Sequence, residues 1–260
     1  ERIVGLGGDA AAGCEKNGWM EVPTEISARH VHLTEQAVKT LFGPGAALHP
    51  KRDLSQPGQF LCEERVRLIG PKGVMENIAV LGPVRSAVQV ELSLTDARTL
   101  GVKAPIRQSG DLSGAGDVYI VGPCGMLNAT GSVIAAKAHV HMTPENAKQD
   151  GQTVQLRLQT DRPITLGDVV VRVSEKFALA AHIDFDEANA AHFTGKEPCA
   201  ICCAGVSAQP AAPAPVKQDK PSCQTPAVPA ANGKKQLITE AEAVRMVAAG
   251  LSMPEGPNII

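Results

Sequence analysis

From Val22 to about Phe193 the chain alternates short apolar runs with Gly-Pro punctuation. Val66–Ile69 is followed by Gly70-Pro71-Lys72-Gly73, Ile78–Leu81 by Gly82-Pro83, and Val118–Val121 by Gly122-Pro123-Cys124-Gly125. Val88–Leu92, Val154–Leu158 and Val169–Val173 read as runs that alternate inward and outward residues. Period-two alternation bounded by tight-turn residues predicts strands in barrels or sandwiches. Against that background one segment repeats. Arg29-His30-Val31-His32-Leu33-Thr34 returns as Ala138-His139-Val140-His141-Met142-Thr143, with a weaker third copy at Val90-Glu91-Leu92-Ser93-Leu94-Thr95. Each Thr precedes a predicted helix, over Glu35–Leu41, Asp96–Leu100 and Pro144–Gln149, and Thr is a good N-cap.

The pattern predicts a mainly β fold with short helices: two duplicated small β-barrel domains with capping helices, over 21–110 and 111–195. Residues 1–20, rich in Gly and Ala, read as a flexible extension. Residues 196–235 read as a Cys-containing, Pro/Ala-rich linker; 205–235 alone hold six Pro and seven Ala. Leu237, Ala241, Val244, Val247, Ala248 and Leu251 share one face of a predicted amphipathic helix within 236–260, with Thr239-Glu240-Ala241-Glu242 at capping-box spacing.

Composition narrows the function classes. Twenty-five basic and 27 acidic residues give a net charge of −2, so no nucleic-acid footprint is expected. No apolar run reaches the roughly 18 residues of a membrane span, and no secretory signal opens the chain. The chain begins with Glu1, so its natural start is expected further upstream. Seven cysteines at irregular spacing (14, 62, 124, 199, 202, 203 and 223) read as mostly reduced thiols of a cytosolic protein rather than a disulfide framework.

The chemistry sits in the His-Val-His pairs. On a strand, residues i and i+2 share a face, so each pair offers two imidazoles to one cation while the central Val enters the core. Imidazole suits zinc and other late divalent metals, and a third ligand per pair leaves an open catalytic position. Glu91, which occupies the His139 position in the third copy, and His182 are the candidates. His49 and His192 stand alone and read as surface residues. Arg85, six residues before Glu91, falls on the opposite face of a regular strand and by itself reads as a solvated charge. No nucleophile elbow, P-loop or dinucleotide fingerprint is present. The pairs also admit a dinuclear metallohydrolase, although the Asp-His that such enzymes need after the pair is missing, or a non-enzymatic scaffold with structural metal.

Further stretches carry a resemblance: Lys51-Arg52-Asp53-Leu54-Ser55-Gln56-Pro57-Gly58-Gln59-Phe60, Leu81-Gly82-Pro83-Val84-Arg85-Ser86 with Gln89-Val90-Glu91, Arg107-Gln108-Ser109-Gly110-Asp111-Leu112, and Phe177-Ala178-Leu179 through His182-Ile183-Asp184 to Asn189-Ala190. With the two His-Val-His segments, and in collinear order over about 21–193, they resemble the PduL-type phosphate acyltransferases, the phosphate propanoyltransferases. The resemblance implies two β-barrels, a two-zinc site between them, and interconversion of acyl-CoA plus phosphate with acyl phosphate plus CoA, propanoyl and acetyl both being open. It implies His30, His32 and Glu91 as ligands of one metal and His139, His141 and His182 as ligands of the second. It further implies Arg85 as the phosphate-binding catalytic residue and Asn189 as a contact for coenzyme A. A homodimer, a location inside a bacterial microcompartment, and a shell protein or co-encapsulated enzyme bound through the C-terminal helix are expected on the same ground. Residues 1–20 do not read as the N-terminal targeting helix such family members carry.

Overall fold

The computed structural model describes residues 18–146 and 149–202. In chain order the elements are β1 (Trp19–Glu21), β2 (Thr24–Ser27), β3 (His30–His32), α1 (Glu35–Phe42), β4 (Pro50–Asp53), β5 (Phe60–Ile69), β6 (Val74–Gly82), β7 (Gln89–Glu91), α2 (Leu94–Leu100), β8 (Ile106–Arg107), β9 (Gly116–Val121), β10 (Met126–Ala136), β11 (His139–Met142), β12 (Thr153–Leu158), β13 (Ile164–Val173), β14 (Ala180–Asp184), α3 (Phe185–Ala191) and β15 (Cys199–Cys202). Among the described residues no helix is long and apolar enough to cross a membrane.

The fold is mainly β, and its strands form two sheets. In the first, β3 pairs β6, β6 pairs β5, β5 pairs β9, β9 pairs β10, β10 pairs β7, and β7 returns to β3. That cycle is a closed six-stranded barrel, with β4 and β8 appended. The second sheet runs β1-β15-β12-β13-β11-β14-β2. Its edge strands β1 and β2 are separated by only Val22 and Pro23, so the sheet must curl until its edges nearly meet. Pro23 has no N–H to continue a ladder. At that point the chain changes partners, with Val22 N donating to Cys199 O and Ala181 N donating to Pro23 O. In the barrel β10 plays the same part as one bent strand. It pairs β9 antiparallel at 126–129 and again at Val133, across a bulge near Gly131, and β7 parallel at Val133 and Ile134.

The duplication therefore holds strand by strand. β3 and β11 each have a parallel neighbour (β6 and β13) and an antiparallel one (β7 and β14). The sheets change over between β10 and β11, and β9 and β10 belong to the first barrel, so a division at 110 does not follow the strands. Each sheet encloses its own apolar core; Val31, Ile78 and Val90 mark one, Val140, Leu156 and Ile183 the other.

Local chemistry sets the helices. Thr34 caps α1 through Ala37 N. Ser93, not Thr95, caps α2, because the strand ends two residues earlier than the repeat suggested. Residues Pro144–Asn146 form a turn, with Thr143 and Asn146 bonded at 2.9 Å, where a third helix was expected. The third helix is α3 instead, opened by a capping box between Asp184 and Glu187. The Gly-Pro-x-Gly hairpins do a second job. Lys72 N donates to Leu100 O at the end of α2, and Cys124 N to Leu41 O near the end of α1. A Cβ on Gly70 or Gly122 would lie 2.3 or 2.4 Å from those same carbonyls, so both approaches require glycine.

Cys199 and Cys202 lie buried in β15 rather than in a linker, because Cys199–Cys202 completes the ladder with β12 and β1. Most of the expected 1–20 extension, Cys203, the 205–235 segment and the predicted C-terminal helix lie outside the described residues.

Candidate metal centre and anion cavity

β3 and β11 present their histidines as alternation dictates, Val31 and Val140 being wholly buried between them. Pairing then supplies the third group on each side. His30 stands opposite Glu91 in the β3–β7 register, and His139 opposite His182 in the β11–β14 register. Glu91 is thus the counterpart of His182, not of His139. Within each set, one candidate ligand atom per residue lies within 4.8 Å of the others. Both sets line a single cavity of about 630 Å³.

The two sets are prepared alike. His30 Nδ1 lies 2.7 Å from Ala28 O, and His139 Nδ1 2.9 Å from Lys137 O. A carbonyl only accepts, so these contacts keep the proton on Nδ1 and leave the Nε2 lone pair for the cavity. The Nδ1 atoms of His32 and His141 and Nε2 of His182 are buried without a hydrogen-bond partner among the described residues. Buried polar nitrogens left unpaired are costly, and a cation that accepts their lone pairs removes the cost.

The sets differ in charge. Glu91 Oε2 is 3.5 Å from His30 Nε2, and Oε1 is 3.8 Å from His32 Nε2. Burial works against its charge, but the two imidazoles and Ser109 outweigh burial and hold the Glu91 carboxyl far below its ordinary range. Burial likewise opposes the His30 imidazolium, yet Glu91 wins and the pKa is raised. His32 is driven well below its ordinary value by burial and then by His30. On the all-histidine side, burial pushes His139 down, and burial together with neighbouring imidazoles pushes His141 and His182 down to about 3. Neutral imidazoles are the form a metal takes.

Glu91 is oriented from behind. Ser109 Oγ donates to its Oε1 at 2.8 Å, and Gln89 Nε2 donates to the same oxygen at 2.5 Å and to Ser109 Oγ at 2.9 Å. Gly110 N in turn holds Gln89 Oε1 at 2.9 Å. Arg85 joins this group because residues 83–88 leave the strand between β6 and β7. Its N–H donates to Leu33 O at 2.8 Å, and its guanidinium reaches Ser109 Oγ at 3.4 Å. The bend that strict alternation forbids is therefore present.

Five arginines (29, 52, 65, 85 and 172) line the cavity against two carboxylates, Glu25 and Glu91. Phe177 packs against His141 with centroids 4.2 Å apart and the rings tilted by 38°. Gln56, 4% exposed, bonds both ways to Ala178, Nε2 to its O at 3.0 Å and Oε1 from its N at 3.2 Å. It thereby ties the loop after β4 to the loop before β14. Asn189 is exposed on α3 and is not among the lining residues. Ser109, Gln89, Gln56, Arg172 and Phe177 were given no role by the sequence reading; only the motifs around them marked the neighbourhood.

The phosphate propanoyltransferase family model matches residues 23–194. Among similar proteins, the phosphate propanoyltransferase of Alkaliphilus metalliredigens is 50% identical over 185 residues, covering 68% of this chain and 87% of the relative. That of Leptotrichia buccalis is 48% identical over 198 residues, covering 75% and 93%. That of Thermotoga maritima is 48% identical over 171 residues, covering 64% and 81%.

Proposed function

The chain belongs to the phosphate propanoyltransferase family of acyltransferases, and on that premise we propose that it transfers a propanoyl or acetyl group between CoA and phosphate at a dinuclear zinc site. The observation that carries the metal reading is the pair of equivalent three-ligand sets around one cavity, with three buried imidazole nitrogens lacking partners. His30, His32 and Glu91 would hold one ion, and His139, His141 and His182 the other. Zinc bound there would polarise the thioester carbonyl and stabilise the departing thiolate.

The chain's own residues account for the rest. Arg85 presents a planar fork to phosphate oxygens, buried enough that its charge is weakly screened. Ser109 and Gln89 keep Glu91 turned toward His30 and His32. A phosphate oxygen attacks the thioester carbon, the C–S bond breaks, and sulfur leaves with the electron pair. The proton of hydrogen phosphate ends on the thiol, so no side-chain nucleophile is needed. The excess of arginines over carboxylates around the cavity suits two anionic substrates held together. Asn189, exposed on α3, would contact the outer part of CoA.

The reading is tested by following acyl-phosphate formation from propanoyl-CoA and phosphate with the full chain. Release of free acid without acyl phosphate would favour a hydrolase, and no turnover at all a scaffold. The homodimer, the microcompartment location and the partner of the C-terminal helix belong to the same proposal. Deleting 205–260 should leave turnover and metal content near wild type and abolish co-sedimentation with compartments; retention of co-sedimentation contradicts the tail's role.

A further inference from the structure

Arg172 enters the cavity from β13, opposite His141 in the parallel β11–β13 register. Its guanidinium carbon lies 5.9 Å from the centre of the Phe177 ring, the same ring that packs against His141. Of the other cavity arginines three are engaged by protein groups, while Arg52 is exposed on β4. Arg29 pairs with Asp96 at 3.3 Å, Arg65 donates to Cys62 O and Glu64 O, and Arg85 reaches Ser109. Among the described residues the Arg172 side chain makes no hydrogen bond and no ion pair, only the contact with Phe177.

Neither lining carboxylate is free to serve it. Glu91 is committed to His30, His32, Ser109 and Gln89. Glu25 accepts from Ser55 at 2.7 Å and lies 3.7 Å from His182. A half-buried guanidinium without a counter-ion is costly unless a ligand supplies the negative charge. Arg85 comes from the closed barrel and Arg172 from the curled sheet, so the two guanidiniums approach from different sheets.

We propose that Arg172 binds the phosphoryl oxygens of inorganic phosphate and of the acyl phosphate, forming with Arg85 a two-guanidinium clamp drawn from both sheets. The inference rests on the acyltransfer reading above. Placement beside His141 favours the reacting phosphate over the phosphates of CoA, which lie beyond the pantetheine arm from the thioester. Hydrogen phosphate and the acyl phosphate, a mixed anhydride, each carry two negative charges, so the clamp binds substrate and product about equally. Such uniform binding is expressed in KM rather than kcat.

The test uses the full, metal-loaded chain and the variants Arg172→Gln and Arg172→Lys, assayed in both directions. The apparent KM for phosphate and for propanoyl phosphate should rise roughly tenfold to a hundredfold in Arg172→Gln, the scale of a lost charge-assisted contact. Arg172→Lys should recover part of the loss. KM for CoA and for propanoyl-CoA should stay within about twofold, and metal content should equal wild type. The thermal stabilisation that inorganic phosphate gives the wild-type chain should shrink in Arg172→Gln. A rise confined to the CoA or propanoyl-CoA KM would make Arg172 a CoA contact and overturn the proposal. An unchanged phosphate KM with a lowered melting temperature would reduce Arg172 to support for Phe177 and overturn it as well. A wild-type chain without phosphate-dependent acyl transfer would sink the acyltransfer reading, and this inference with it. An active wild type with unmoved variants would sink this inference alone.

Discussion

Replacing Ser109 by Ala should loosen one metal position and leave the other untouched. Ser109 Oγ donates to Glu91 Oε1 at 2.8 Å, while Gln89 Nε2 reaches the same oxygen at 2.5 Å. The variant thus removes one of two donors to a buried carboxylate. A hydrogen bond to a charged group contributes about 1.5–3 kcal/mol, and Gln89 retains its hold, so the lower half of that range applies. At 1.4 kcal/mol per decade, the loss corresponds to roughly tenfold weaker metal binding at His30, His32 and Glu91. Loss of a group that orients a ligand typically costs 10–100-fold in affinity. His139, His141 and His182 make no recorded contact with Ser109, and their ion should be held as in wild type. Competition with a chromophoric zinc chelator reads this directly, because release should split into a weakened phase and an unchanged one. Equal weakening of both phases, or of neither, would refute the reasoning that Ser109 acts through Glu91.

Gln56→Ala should lower the melting temperature by about 4–8 °C in a calorimetric scan, since two buried bonds to Ala178 are worth about 2 kcal/mol once cavity water partly replaces them. Glu187→Gln should change the pH dependence of stability. Burial raises the Glu187 carboxyl from 4.5 to about 7, so the folded state binds the extra proton and stability falls as pH rises through that window. The stability difference in the variant's favour should therefore grow between about pH 4.5 and 7 and then level off, as read by urea unfolding at several pH values. Cys199→Ser and Cys202→Ser should leave turnover and metal content intact but destabilise by about 1–2 kcal/mol in urea titrations, because each puts a hydroxyl in a buried strand.

Four of the six candidate ligands were legible because a strand's two-residue period is a local property; Glu91 and His182 were assigned only through the family resemblance. His30 and His32, or His139 and His141, need no knowledge of the fold to share a face. What closes each set is pairing between distant strands, and the repeat aligned Glu91 with His139 although the register makes it the partner of His30. Ser109, Gln56 and Arg172 were hidden for the same reason: a lone polar residue shows its role only once barrel closure or cross-sheet loops bring it to the cavity. β10, with Asn128, Thr130, Gly131 and three alanines, lacks the β-branched density that marked other strands, yet it closes the barrel. Cys199–Cys202 was read with the Pro/Ala-rich tail that follows it, though its ladder partners lie far back in the chain. Arg85 shows the limit of parity arguments, since residues 83–88 leave the strand and the count from Glu91 loses its meaning.

Elemental analysis of the purified, active full chain tests the dinuclear centre most directly. With three protein ligands per ion, wild type should carry about two zinc-like ions, and His30→Ala and His139→Ala should each retain about one and lose most turnover. Active protein free of transition metal, or a wild-type metal count in both variants, would contradict the account.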